Sequence, residues 1–303
     1  MKRPLLHVGY HKTGTTWLQN RFFVSEYGYG KVLDHEAVSA LIVDAPESAR
    51  DAKPITAAAS AGSAALGPDH VPVISSEILC GNPFHGGAGG AENARLLAAA
   101  FPDARILITI REQMRMLTSV YMQYVSRGGT RSPEDFFTEE NAPGYPRFRT
   151  GHFRYDWLIG LYRDLFGAGN VLVLTQEQMA SDLAGFLAKL SAFAEAPRQD
   201  GFPARTARAG ASYPETAAPL LRRINRFRAG PASPEPTFDL GGVSAGLYRW
   251  AGAAARHPVL TRAYGRGRPV TDHVTGRFAG RFADSNQTLG RMVPGLDLTG
   301  YEM

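Results

Sequence analysis

The sequence predicts an α/β fold with three layers: a parallel sheet, helices on both of its faces, and a mostly helical C-terminal third. Three observations predict it. Short apolar runs alternate with stretches of helical periodicity through the first two thirds of the chain. One run, ARILITI (104–110), is almost continuously apolar, as expected of a parallel strand covered on both faces. Beyond Pro197 helical patterns and loops continue, but no run reads as a strand.

The elements follow in order. PLLHVG (4–9) is a short apolar run ending in glycine; YHKTGTT and then WLQNRFF, at helical spacing, complete a strand–loop–helix unit. Residues 35–66 are alanine-rich and read as helix, with breaks expected around Pro46 and Pro54. VPVISSE (71–77) is a β-branched strand, followed by the glycine-rich FHGGAGGAE and a helix over 93–100. ARILITI runs into REQMRMLTSVYMQYVSRGG, where Met114, Leu117, Val120, Tyr121 and Tyr124 recur at helical spacing until Gly128 and Gly129 stop the helix. Pro133 opens a short helix and NAPGYPRFRTGHF is a loop. YDWLIGLYRDLFG is a helix ending at Gly167, NVLVLT a fourth strand, and 183–193 a further helix. No internal repeat is visible. The expectation is one domain over 1–303, with its core in 1–197 and a helical extension in 198–303.

Composition excludes several classes. A chain of 303 residues can bury a full core without staples, and 44% apolar with 20% charged residues is wrong for a disordered protein. No apolar run approaches the ~20 residues of a membrane helix. The opening MKRPLLHVGYHKTG has only a short apolar stretch, interrupted at Lys12, and does not read as a signal peptide. The lone Cys80 excludes an intrachain disulfide and a multi-cysteine metal site, and fits a reducing cytoplasm. Eight histidines show neither HxH nor HExxH spacing, so no zinc site is expected. The net charge of +5 points to an anionic partner: nucleic acid, a phosphorylated cofactor, an acidic saccharide or a membrane surface. The excess is uneven, since residues 205–268 hold eleven arginines, no lysine and three acids. A solvated helical face is the plain account of that segment. No motif that reads nucleic acid is present.

Ligands of parallel sheets bind at the carboxyl ends of the strands, so residues 9–16, 75–77 and the stretch from Arg111 onward should share one crevice. GYHKTGTT lies at the first strand-to-helix turn, where amides and the helix dipole favour an anion. An ordinary glycine turn with a threonine cap is the plain alternative. Gly9 and Gly14 match the spacing of the triphosphatase loop G-x-x-x-x-G-K-[ST], yet Thr15 takes the lysine position and the turn's lysine, Lys12, precedes Gly14. No acid after a strand clearly matches a magnesium-holding carboxylate. A nucleotide-dependent kinase must explain both departures.

Lys12-Thr13-Gly14-Thr15-Thr16-Trp17 resembles the P-loop-like phosphosulfate turn, K-[TSG]-G-[TS]-[TS]-[WL], of the sulfotransferases that use 3′-phosphoadenosine 5′-phosphosulfate (PAPS). The resemblance implies that Lys12 and the amides and hydroxyls of Thr13, Gly14, Thr15 and Thr16 hold the 5′-phosphosulfate, with Trp17 completing the cofactor-binding set. A second motif fits: Arg111 ends a strand and Ser119 follows eight residues later, as at the family's 3′-phosphate site. An arginine there can grip a phosphate with two donors. YDWLIGLYRDLFGAGNVLVLTQEQM resembles the unit that closes the family's core, so the likeness covers residues 4–195. In the C-terminal third, Arg205 and Arg208 of PARTARAGASY are the candidates for a basic loop over the adenosine.

The activity implied is transfer of a sulfuryl group from PAPS to a hydroxyl, leaving 3′,5′-adenosine bisphosphate. A loose in-line transition state makes positioning and charge stabilisation dominant, with Lys12 at the bridging oxygen and no metal required. Glu77, just after a strand end, is the first choice of base for the acceptor proton. A salt-bridge or capping acid is its plain reading. His11, beside Lys12, is a candidate for acting on phosphate oxygens, and His85 and His152 lie in loops that could face the acceptor. FHGGAGG reads as a lid or a slack surface loop; Tyr145, Arg147 and Arg149 as an acceptor groove or a solvated loop. The acceptor expected is a carbohydrate or glycolipid, with a small alcohol as alternative. A lipid acceptor would bring peripheral membrane contact. A kinase with an atypical loop, and a non-enzymatic binder of nucleic acid or membrane, are the competing readings.

Overall fold

The computed structural model describes residues 2–46, 49–84, 86–139, 148–197, 201, 213–232, 240–255, 257 and 267–303. Five strands form one sheet: β1 (Leu5–His7), β2 (Tyr29–Leu33), β3 (Val71–Ser75), β4 (Arg105–Ile110) and β5 (Val171–Thr175). Their order is β2-β3-β1-β4-β5 and every pairing is parallel. The predicted α/β class and four predicted strands are present. The edge strand β2 was not among them: YGKVL carries a glycine and an exposed Lys31, so it lacks the apolar continuity of its neighbours.

Thirteen helices are described: α1 (Thr15–Trp17), α2 (His35–Val38), α3 (Ala52–Ala64), α4 (Gly90–Ala100), α5 (Gln113–Ser126), α6 (Pro133–Phe136), α7 (Tyr155–Phe166), α8 (Gln176–Ser181), α9 (Leu183–Ala194), α10 (Ala218–Asn225), α11 (Gly242–Ala254), α12 (Pro269–Phe278) and α13 (Ala283–Met292). The helix expected after the first turn begins as α1 and widens at once into a π turn over Leu18–Phe22. The expected interruption around Pro46 and Pro54 falls between Val43 and Ala52, just before Pro54 rather than at it. Pro54 sits in the first turn of α3, where amides have no partner within the helix, and Asp51 caps that turn by accepting from the Lys53 amide at 3.0 Å.

Strand alternation divides the interior. Leu6, Val8, Ile74, Ile106, Ile108, Ile110, Val171 and Val173 join the larger core, with side chains of α3, α4, α5, α7 and α10 to α13. Leu5, Val71, Val73, Leu107 and Leu174 face the smaller core, closed by Leu18, Phe22 and Phe23 and by Phe186, Leu187 and Leu190 of α9. The chain therefore leaves β1 towards one face and β4 towards the other. The switch point between β1 and β4 lies at the carboxyl edge of the sheet, where open α/β sheets place ligands.

Candidate active site

Pairing continues beyond β1: the amides of Val8 and Tyr10 donate to the carbonyls of Leu107 and Thr109 at 2.8 and 2.9 Å. The chain then reverses. Lys12 has φ 63° and Gly14 φ 98°, both left-handed, and the Gly14 carbonyl accepts the Trp17 and Leu18 amides that start the helix. A side-chain residue held at positive φ costs backbone strain, and such strain concentrates at functional turns. Gly9 is required by space, because a Cβ there would lie 2.3 Å from Thr109 Oγ1.

Beneath the turn runs a buried chain of hydrogen bonds. Thr13 Oγ1 lies 2.6 Å from the Tyr10 carbonyl and 2.7 Å from Thr109 Oγ1. Thr109 Oγ1 is 3.1 Å from His7 Nε2, whose Nδ1 is 2.8 Å from Ser75 Oγ. The direction of every bond is fixed from one end. A carbonyl only accepts, so the Thr13 hydroxyl donates to Tyr10; Thr109 must then donate to Thr13, His7 Nε2–H to Thr109, and Ser75 to His7 Nδ1. His7 is fully buried, and that burial pushes its imidazole down to about 3, so it is the neutral Nε2–H tautomer that the chain requires. Side chains on three adjacent strands thus hold the turn from below.

Above it, cations converge. A guanidinium nitrogen of Arg111, at the end of β4, donates to the Lys12 carbonyl at 3.4 Å, and the Tyr155 hydroxyl holds the Arg111 carbonyl at 2.7 Å. Burial holds the Lys12 ammonium below its ordinary pKa, Arg111 and Arg127 press it further, and Glu77 opposes them. Burial likewise lowers Arg111. For His11 burial dominates, reinforced by His152, Arg127 and Lys12, and pushes the imidazole down to about 3. Four polar atoms here are buried without a hydrogen-bond partner: His11 Nδ1, Thr15 Oγ1, Trp17 Nε1 and Arg111 Nε. Such atoms in a native protein are matched to a ligand or water. Lys12, Arg111 and these atoms suit an anion with several oxygens.

The structure brings Arg111, Lys12 and Glu77 into one electrostatic neighbourhood; Glu77 opens the 3₁₀ turn after β3, half-buried. Thr13 is wholly buried with its hydroxyl turned inward, while Thr16 is exposed and Trp17 half-buried. Ser119 lies in the second turn of α5, half-buried, and no hydrogen bond links it to the turn. Arg205 and Arg208, like His85, Tyr145 and Arg147, lie outside the described residues. Sequence reasoning missed Arg127. It follows α5 immediately and lies over the Phe84 ring, 5.5 Å from its centroid, yet its field reaches Lys12 and His11; no spacing rule points to it.

A cavity of about 590 Å³ adjoins the turn, lined by Tyr10, Cys80, Arg149, His152, Asp156 and Trp157 among others. His152 packs on Tyr10 with ring centroids 5.1 Å apart, and burial pushes it down to about 4. Behind Arg111, Glu112 caps α5 by accepting from the Met114 and Arg115 amides. Gln113 pairs with Asn286 of α13 at 2.7 Å, and Tyr301 donates to Glu177 at 3.1 Å. Among the described residues no three of His, Cys, Asp and Glu are grouped to hold a metal ion, and no helix is long and apolar enough to cross a membrane.

The fold is an α/β parallel sheet with a cationic strand-to-helix turn at its carboxyl edge. A family model described as the sulfotransferase family matches residues 31–200, more than half of the chain, and the chain belongs to that family. The matched stretch contains Glu77, Arg111 and Ser119 and begins after the turn of Lys12. Among solved structures, a sulfotransferase from Alicyclobacillus acidocaldarius is similar at 19% identity and TM-score 0.49, over 90% of this chain and 99% of that one. A mouse sulfotransferase complexed with PAP is similar at 12% identity and TM-score 0.41, over 96% of this chain and 90% of that one. No curated protein sequence matches the chain.

Proposed function

We propose that the protein moves a sulfuryl group from PAPS to a hydroxyl of a carbohydrate or glycolipid, by in-line displacement without a metal. The observation that carries this reading is the meeting of Arg111 with the Lys12 carbonyl, at a turn where His11 Nδ1, Thr15 Oγ1 and Arg111 Nε are buried without partners. A nucleotide with phosphates at two ends matches a site whose anion-binding groups come from both strand exits. Lys12, Gly14, Thr15 and Thr16, with the Thr13 amide, are assigned to the 5′-phosphosulfate; Arg111 and Ser119 to the 3′-phosphate.

In this reading the acceptor oxygen forms the new O–S bond as the bond from sulfur to the phosphate oxygen breaks. Glu77 takes the acceptor proton, and Lys12 balances the charge that grows on the departing oxygen. His11, neutral at physiological pH, contributes a hydrogen bond rather than a charge. The cavity beside Tyr10 is the space assigned to the acceptor. The basic balance of the chain suits an acceptor that carries negative charge, such as an acidic saccharide.

The test is a thermal-shift comparison of 3′,5′-adenosine bisphosphate with ATP and magnesium. A ligand that binds only the folded state raises stability by RT ln(1 + [L]/Kd), about 2.7 kcal/mol at a hundredfold excess over Kd. Stabilisation by the bisphosphate, lost in Arg111→Ala, is expected. A response to ATP with magnesium alone would overturn the reading. Transfer of labelled sulfate from PAPS to a panel of sugars and lipids, undiminished by chelator, then identifies the acceptor.

A further inference from the structure

Helices α10 and α11 form a hairpin that the proposed transfer chemistry does not use. Of the nine large apolar side chains that the described residues expose, six belong to it or to its connections: Leu220, Phe227, Leu240, Val243, Leu247 and Trp250. Val243, Leu247 and Trp250 follow one another at i, i+4 and i+7, so they form one stripe along α11, and Leu240 extends it by one turn's spacing. The stripe is open: Val243 is 74% and Trp250 67% exposed, while Ser244, Tyr248 and Ala251, about a quarter turn around the helix, are buried. The hairpin is pinned rather than loose. The Leu240 amide donates to the Phe227 carbonyl at 3.2 Å, and the Arg228 guanidinium lies over the Tyr248 ring, 4.3 Å from its centroid.

The charge of the described residues near the stripe is positive, while the connecting sequence 233–239 carries Glu235 and Asp239. Residues 218–232 and 240–255 contain Arg222, Arg223, Arg226, Arg228 and Arg249, with no lysine and no acid. Arg222 and Arg228 are turned inward, onto Tyr121 and onto Tyr248 and Ser126. Arg223, Arg226 and Arg249 remain exposed. An apolar stripe carrying a tryptophan, on a helix pair whose described charged residues are all arginines, has the composition of a surface that lies in the interface of a bilayer. Arginine stems cover apolar surface while their heads stay at the level of phosphate. A second copy of this chain fits worse, because a two-fold contact would set the arginines against themselves. Nucleic acid fits worse as well, since apolar side chains rather than phosphate-gripping ones form the stripe.

We propose that the α10–α11 hairpin docks on an anionic membrane surface, with Val243, Leu247 and Trp250 entering the interface and Arg223, Arg226 and Arg249 meeting lipid phosphates. The docking is independent of sulfuryl transfer. The test uses the full chain and sedimentation with phosphatidylcholine vesicles with and without phosphatidylserine. Binding is expected only with phosphatidylserine, accompanied by a blue shift of tryptophan emission that Trp250→Phe abolishes. Neutralising arginines to glutamine at 223, 226 and 249 together should weaken binding about a hundredfold, roughly fivefold for each charge. Replacing Leu247 and Trp250 by serine should weaken it roughly tenfold or more. Both sets lie at exposed positions, and unchanged thermal stabilisation by 3′,5′-adenosine bisphosphate reports that the site still folds. Equal binding to both vesicle types, no binding to either, or full binding by both variants overturns the proposal. So does self-association, or capture by an acidic protein or by duplex DNA, without vesicle binding.

Discussion

The Thr109 hydroxyl accepts from His7 and donates to Thr13, so removing it leaves two buried groups unmatched. Thr109→Val should lower unfolding free energy by about 1–3 kcal/mol in a denaturant titration, and Thr109→Ser by less. A valine variant as stable as the parent would show that the chain of bonds does not hold the turn. At the reacting end, Glu77→Gln should leave bisphosphate binding intact and lower kcat by roughly 10²–10⁴ if Glu77 is the base. A wild-type rate would assign the base elsewhere, with His152 next to examine. The turn of Lys12, the strand leading to it and the exit at Arg111 were legible because short runs of residues encode them. His7 was not. A histidine inside an apolar strand looks like a lapse in the pattern, and its partners Ser75 and Thr109 come from strands far away in sequence. Arg127 was hidden for the same reason.

Elements set these residues at fixed distances, and glycines set the elements. A Cβ on Gly62 of α3 would stand 2.4 Å from the Val32 carbonyl oxygen, so α3 lies directly on the backbone of β2. Gly62→Ala should push the helix away and cost about 1–3 kcal/mol, measurable as a lowered unfolding midpoint with an unchanged denaturant slope. An alanine variant of parental stability would mean that α3 is free to shift. The pairing also explains why β2 went unread: an edge strand with Gly30 under Leu66 and Lys31 in solvent needs no apolar run. Conversely Pro54, which reads as a helix breaker, is harmless in a first turn. Composition marked both positions, but only their place within the element gives them meaning.

For the whole molecule the clearest expectation concerns acid. His7 and His11 are buried and neutral, pushed down to about 3, whereas in the unfolded chain each takes up a proton near 6.5. The unfolded state therefore binds more protons between those values, and stability falls as pH drops below the upper one. The slope should approach ~1.4 kcal/mol per pH unit for each histidine, and His7→Asn should reduce it by one histidine's share while His11 and His152 keep theirs. Melting points recorded from pH 7.5 down to 4 check this; a flat profile in the parent would mean that neither ring is buried as described. The C-terminal third was legible only as helices. Its role in bracing Arg111, through Asn286 on Gln113 and Tyr301 on Glu177, joins positions more than a hundred residues apart.

That bracing orders events during assembly. The cup around Lys12 is built from pieces of β1, β3 and β4 and can close once those strands pair. Arg111 is steadied by α13 and by Tyr301, whose contacts join residues 173 and 124 positions apart and so form late. A clipped polypeptide lacking Tyr301 would carry the closed turn of Lys12 beside an unsteady Arg111, and under the proposed function it would hold the nucleotide by one end and release it quickly.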